Sequence, residues 1–408
     1  MFSECFPHAA EADRQTHSMT RPPIYDDRNR ADLTPQRNDE TSFEFFNRAG
    51  GSLWRHSRAL HKEWASRLGD REYADVRAAM RSDDAQARSA FLELYLHECL
   101  IRGSFEVTVH PELPHTKRHP DFLAERDTTR IYVEAIALGT SKAERARTAR
   151  TNDLLAVLDQ VGDDNFFLMT TSIMQASNSA PAASFRRGIR RWLGGLDPDT
   201  VDARNLPSRT FEQDGWSVTV EAMPIRKDKR GTIRRSIGIY AHGEAQFIDD
   251  GPKLVAALKT KASRYGNLHA PFVIAVGTNS FDDDDEDVFN ALYGSVSWVL
   301  KEVGPNDDAT TRSVRNRDGY FGCPGAWKNR RVSAVLIVDQ LALHDPTRAR
   351  VALWVHPNPL YPLPSFLMFP GVVHEWNGQS TDKHQALEAR SLLGLADDWP
   401  QGRRWQAD

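Results

Sequence analysis

One carboxylate set in an otherwise apolar run, Glu134 within residues 130–138 (RIYVEAIAL), constrains the fold of this chain more than any other feature. The run reads as a buried strand. Alternation puts Tyr132, Glu134 and Ile136 on one face and Ile131, Val133 and Ala135 on the other. Burying an unpaired charge is expensive, so Glu134 requires a partner.

Two further acids offer themselves. Asp121 follows Pro120 in a preceding strand, residues 120–125, and the polar turn 126–129 makes a hairpin that brings Asp121 beside Glu134. Adjacent carboxylates repel unless a cation lies between them, and hard oxygen ligands suit Mg²⁺ or Mn²⁺. Glu93 lies within FLELYLHECLI, part of a wide apolar helix over residues 85–101 that stops at Arg102-Gly103. A single metal site approached by Glu93, Asp121 and Glu134 would satisfy all three. The plainer arrangement has Asp121 as a turn residue, Glu134 on an edge strand and Glu93 paired to an arginine.

The 408 residues suffice for one large or two medium domains, and 40% hydrophobic with 26% charged residues is ordinary for a soluble globular chain. Residues 1–42 are polar and are expected to form a disordered or loosely attached leader. Helices over 43–84 follow, then a core over 85–300 with insertions, and a strand-containing C-terminal extension over 301–408 packed on it. After the hairpin, an amphipathic helix over 142–161 precedes a buried strand over 165–171. Helix 185–193, strands 216–223 and 236–240, helix 252–265, strand 271–277, helix 286–300 and strands 332–339 and 350–356 complete the order. Strands alternating with helices predict a mixed α/β (α+β) architecture with a partly parallel central sheet, continuous rather than split into independent domains.

A helix with an inward Glu, followed by a hairpin carrying Pro-Asp and a later Glu, resembles the restriction-endonuclease-like PD-(D/E)XK nuclease superfamily. The motif reads Pro120-Asp121, twelve intervening residues, then Glu134-Ala135-Ile136. The αβββαβ core of that superfamily matches the element order over residues 85–171, and LVAALKTKASRYGNLHAPFVIAV resembles segments of uncharacterised bacterial members. The resemblance implies a metal-dependent DNA endonuclease with a role in restriction or defence. It implies Mg²⁺ or Mn²⁺ on Asp121 and Glu134, Glu93 as a further ligand or water-orienting group, and DNA and defence-system proteins as partners. The chain departs from the pattern at Ile136, where the superfamily places a lysine that positions the attacking water. Lys117, Lys142, Lys259 and Lys261 are the candidates for a migrated lysine. Lys261 is preferred, because KxxxYG ends a helix before a buried strand. Without such a lysine, the chain is expected to be an inactive nuclease fold serving as a nucleic-acid-binding or scaffold subunit.

His110, His115 and His119 crowd the loop before Asp121, with spacings that define no zinc geometry. The tract RKDKRGTIRR (226–235) and Arg186, Arg187, Arg190 and Arg191 could hold a phosphate backbone, or serve as solvated faces. The acidic run FDDDDEDVF (281–289) suits a helix N-terminus. A net charge of −4 provides no global basic field. Three dispersed cysteines indicate a reducing compartment, and with no apolar run long enough for a bilayer the expectation is a cytoplasmic protein without membrane contact.

Overall fold

The computed structural model describes residues 21–139, 142–202, 204–231, 237–239, 251–279, 285–300, 311–365 and 369–400. Four helices open it: α1 (Ser42–Arg48), α2 (Ser52–Ala65), α3 (Asp70–Met80) and α4 (Asp84–Arg102). Thr41 and Glu44 form a capping box on α1, and Asp83 caps α4 by accepting from the Ala85 and Gln86 amides. Part of the expected leader is anchored. Residues 21–41 belong to the packed structure, with Ile24 and Tyr25 buried in the main core, the Tyr25 hydroxyl 2.8 Å from His61 Nδ1, and Arg21 paired with Asp70. Composition misleads there because two apolar side chains and a few specific bonds suffice to dock a polar segment.

The hairpin follows as β1 (Glu106–Val109), β2 (Phe122–Arg126) and β3 (Thr129–Ala137). Asp127, at φ 52°, takes the left-handed position of the β2–β3 turn, which Asp tolerates better than most side chains. Next in the chain come α5 (Lys142–Asp159), β4 (Phe166–Met174), α6 (Ala182–Leu193), β5 (Ser208–Gln213), β6 (Trp216–Pro224) and β7 (Ile237–Ile239). These form their own sheet, in the order β5-β6-β4-β7, with a separate core of Leu154, Leu158, Phe166, Phe185, Ile189, Trp216 and Val218. The helix and strand expected to complete the αβββαβ order after the hairpin therefore belong to an inserted layer.

The chain returns to the main body with α7 (Gly251–Ala262) and β8 (Phe272–Thr278), then α8 (Glu286–Tyr293), β9 (Val296–Leu300) and β10 (Thr311–Arg315). The expected helix over 286–300 stops at Gly294, whose φ of 106° no helix holds, and continues as β9. The short ribbon β11 (Gly322–Cys323) and β12 (Ala326–Trp327) precedes β13 (Ala334–Asp339), β14 (Arg350–Val355), β15 (Val372–Trp376), β16 (Thr381–Gln385) and α9 (Ala389–Leu393).

The central sheet has eight strands in the order β1-β2-β3-β8-β13-β14-β15-β16. It is mixed: β3, β8 and β13 run parallel, whereas β2–β3 and β13–β14 are antiparallel. A helix, three strands, a helix and a strand (α4-β1-β2-β3-α7-β8) thus share one body, with the inserted layer between β3 and α7. One face packs on α4 through Val133, Ala135, Val273 and Ala275. The other carries Tyr132, Ile274 and Val276 against Leu254 and Leu258 of α7. Gly277 of β8 permits the close approach of α4, since a Cβ there would lie 2.7 Å from Leu92 Cδ2. Among the described residues no helix is long and apolar enough to cross a membrane.

Candidate functional site

Glu134 sits on β3, flanked by β2 and β8, and is 1% exposed. It is therefore a carboxylate of a central strand. The hairpin register pairs Phe122 with Val133, so Asp121 stands opposite Glu134, one step beyond the end of β2. There the Asp121 Oδ2 atom accepts a 2.6 Å hydrogen bond from the Ala135 amide. Side chain and backbone together lock the acid against β3.

Lys261 reaches the same place from α7. Its Nζ donates to Glu134 Oε1 and lies 3.5 Å from the Ala135 carbonyl oxygen. The Tyr265 hydroxyl donates to Glu134 Oε2 at 2.6 Å, so both carboxylate oxygens are held. Leu254, Leu258 and Lys261 recur at helical spacing on α7, and the lysine continues the stripe that the leucines bury. Tyr265 lies three residues past the end of α7, where helical periodicity gives no signal for it. The other lysines do not arrive: Lys117 and Lys259 are exposed, and the side chain of Lys142, at the start of α5, lies outside the described set.

Glu93 is partly buried on α4, the helix that packs on the Val133 and Ala135 face, whereas Glu134 points to the opposite face with Tyr132. It joins the cluster through charge rather than contact. Burial raises its pKa, which Lys261 lowers and Glu134 raises further. No arginine pairs with Glu93 among the described residues; that role on α4 falls to Glu98. Glu98 is 0% exposed and accepts from Arg67 at 2.9 Å and Arg102 at 2.8 Å.

Asp121 carries the clearest electrostatic signature. Burial, then the charges of Glu134 and Glu93, push its pKa up to about 7 against the opposing effects of the Ala135 amide and Lys261. Among the described residues these three carboxylates share the Lys261 ammonium. A divalent cation on Asp121 and Glu134 fits that deficit of positive charge, and the second Asp121 oxygen lies 3.9 Å from the His110 ring. Among the described residues, no three His, Cys, Asp or Glu side chains are already gathered at metal-ligand spacing.

The remaining candidates disperse. His115 and His119 are exposed, with His119 Nδ1 3.0 Å from the Pro111 carbonyl oxygen. In the basic tract, Arg226 pairs with Asp228, while Lys227 and Arg230 pair with Asp199. Arg190 is bound to the carbonyls of Gln160 and Val161. Residues 232–235 and the acids 281–284 lie outside the described residues. No family model, curated protein or solved structure matches the chain.

Proposed function

We propose that the protein is a metal-dependent phosphodiesterase that cleaves DNA, with a restriction-endonuclease-like core formed by α4, β1–β3, α7 and β8. The observation that carries this reading is the convergence of Asp121, Glu134 and Lys261. The first two come from a hairpin and the third from a helix 127 residues later in sequence, onto one buried strand. Ion pairing alone does not require such an arrangement, since Glu134 with Lys261 would be neutral and Asp121 adds uncompensated charge beside them.

In this reading Asp121 and Glu134 hold Mg²⁺ or Mn²⁺. When bound, the ion activates water and offsets charge on the phosphoryl oxygens. Lys261 supplies, from α7, the cationic donor that the superfamily pattern has two residues after the second acid and that Ile136 cannot provide. It orients water and phosphate near Glu134. Tyr265 keeps the Glu134 carboxylate in one orientation. Glu93 adds negative potential from α4.

The test is incubation of supercoiled plasmid with the purified protein and Mg²⁺ or Mn²⁺, beside Asp121→Ala, Glu134→Ala and Lys261→Ala. Cleavage by the parent and loss of about two orders of magnitude or more in each variant is expected. Equal nicking by parent and variants would defeat the proposal. A second reading, an inactive nuclease-fold binding subunit, is favoured by the saturation of both Glu134 oxygens by Lys261 and Tyr265. It predicts DNA binding without cleavage even in Mn²⁺.

A further inference from the structure

Away from the carboxylates, the anchored segment 21–33 and helix α2 enclose a groove of about 790 Å³. Five cations line it, Arg28, Arg30, Arg55, Arg58 and Lys62, against two carboxylates, Asp26 and Asp27. Asp26 is already held by Asn47 and Arg81. The local balance is strongly positive in a chain whose net charge is −4.

The guanidinium groups of Arg28, Arg30 and Arg58 are held by backbone carbonyls. Arg28 Nε donates to the Asn47 carbonyl oxygen at 2.7 Å, and Arg30 Nε to the same atom at 3.0 Å. Arg58 Nη1 donates to the carbonyl oxygens of Phe46 and Ala49 at 2.9 and 2.8 Å. These carbonyls close the C-terminal end of α1, where cations are favourable. Yet no carboxylate forms an ion pair with Arg28, Arg30 or Arg58 among the described residues. A guanidinium carries five N–H donors, of which these carbonyls engage a minority on Arg28 and Arg58. Burial, and then the neighbouring Arg30, lower the Arg58 pKa to about 10, against a smaller opposing effect of Tyr25. Arg30 and Arg58 thus crowd together, with Asp26 and Asp27 acting on Arg30 as counter-charges. Leu33 lines the groove, with the small surface that Ile24 and Tyr25 leave exposed, as its apolar part.

We infer that this groove binds a phosphorylated small molecule of nucleotide size, its phosphates on the guanidinium groups and its ring system on the apolar part. Pre-positioned arginines are the natural bidentate partners of phosphate, and the volume lies within the usual range for small-molecule pockets. The inference does not depend on the carboxylate centre being catalytic.

Calorimetry on the full chain in EDTA, with ATP and inorganic tripolyphosphate as probes, tests it. Both are expected to bind one-to-one, ATP more tightly because the apolar part receives its ring. Arg28→Gln with Lys62→Glu should weaken ATP about tenfold or more. The exposed Lys62→Glu alone, which disturbs no backbone bond, should weaken it in the same direction. Asp121→Ala should bind ATP as the parent does, which separates this site from the carboxylates. No heat with either probe, or unchanged affinity in both variants, would overturn the inference. ATP no tighter than tripolyphosphate would overturn the nucleotide assignment. Binding confined to a single-stranded oligonucleotide would assign the groove to a nucleic-acid backbone instead.

Discussion

Replacing Lys261 with Met removes the ammonium from Glu134 while keeping most of the side-chain volume. Glu134 is 1% exposed at its side chain and Lys261 21%, so the carboxylate cannot turn to water when its partner goes. Breaking a buried pair from one side costs about 3–5 kcal/mol, because a buried charge is left uncompensated. The hydrogen bond from Tyr265 remains, and Lys261 is itself partly solvated, so about 3 kcal/mol is the expected loss. For a cooperative unit of this size that lowers the melting temperature by about 3–6 °C. Adding Glu134→Gln to Lys261→Met removes the stranded charge while preserving an acceptor for Tyr265, and should recover most of the loss. Thermal unfolding followed by circular dichroism, in EDTA and in Mn²⁺, reads all three proteins. A metal held by Asp121 and Glu134 at a hundredfold excess over its Kd contributes about 2.7 kcal/mol, so Mn²⁺ should stabilise Lys261→Met and not the double variant. A Lys261→Met variant that melts with the parent, or a second substitution that does not restore stability, would refute a buried, uncompensated Glu134 charge.

Other expectations follow from the packing. Gly277→Val should destabilise by about 1–3 kcal/mol, because its side chain enters the space of Leu92; a denaturant midpoint equal to the parent's would contradict the close approach of α4. Glu98→Ala takes the buried carboxylate from Arg67 and Arg102, which are partly solvated and keep Glu63, and should cost about 1–3 kcal/mol in the same assay, whereas Glu125→Ala, on an exposed pair with Arg130, should change stability by less than about 1 kcal/mol. His61 and His97 are buried, and desolvation first of all lowers each pKa to about 4. Because the unfolded chain takes up these protons first, the stabilisation is present above pH 6.5 and disappears as pH falls toward 4, by about 3 kcal/mol for each histidine. Unfolding midpoints measured across that window should fall steeply, and the His61→Gln variant should show a shallower slope. Mn²⁺ titrated calorimetrically into the parent should give one-site heats that vanish in Asp121→Ala; equal heats in both proteins would place the metal elsewhere.

What could be read directly from the residues is what local chemistry dictates. The alternation around Glu134, the hairpin that sets Asp121 opposite it, the helix carrying Glu93 and the stop at Gly103 all depend on neighbours a few residues apart. The KxxxYG pattern before a buried strand favours Lys261, and Leu254, Leu258 and Lys261 do share one face of α7. Periodicity could not say which helix and strand complete the sheet beside β3. Residues 142–161 and 165–171 are as plausible by pattern as α7 and β8, and only packing assigns the former to a layer with its own core. Nor could it tell that Glu98, rather than Glu93, is the arginine-bound acid of α4, since both lie in the same apolar helix and one partner, Arg67, comes from the turn after α2. Ion pairing, sheet order and the meeting of Glu134 with Lys261 are relations between distant segments. They were decided by which faces the tertiary structure brings within a few ångströms, where buried charge must find a partner.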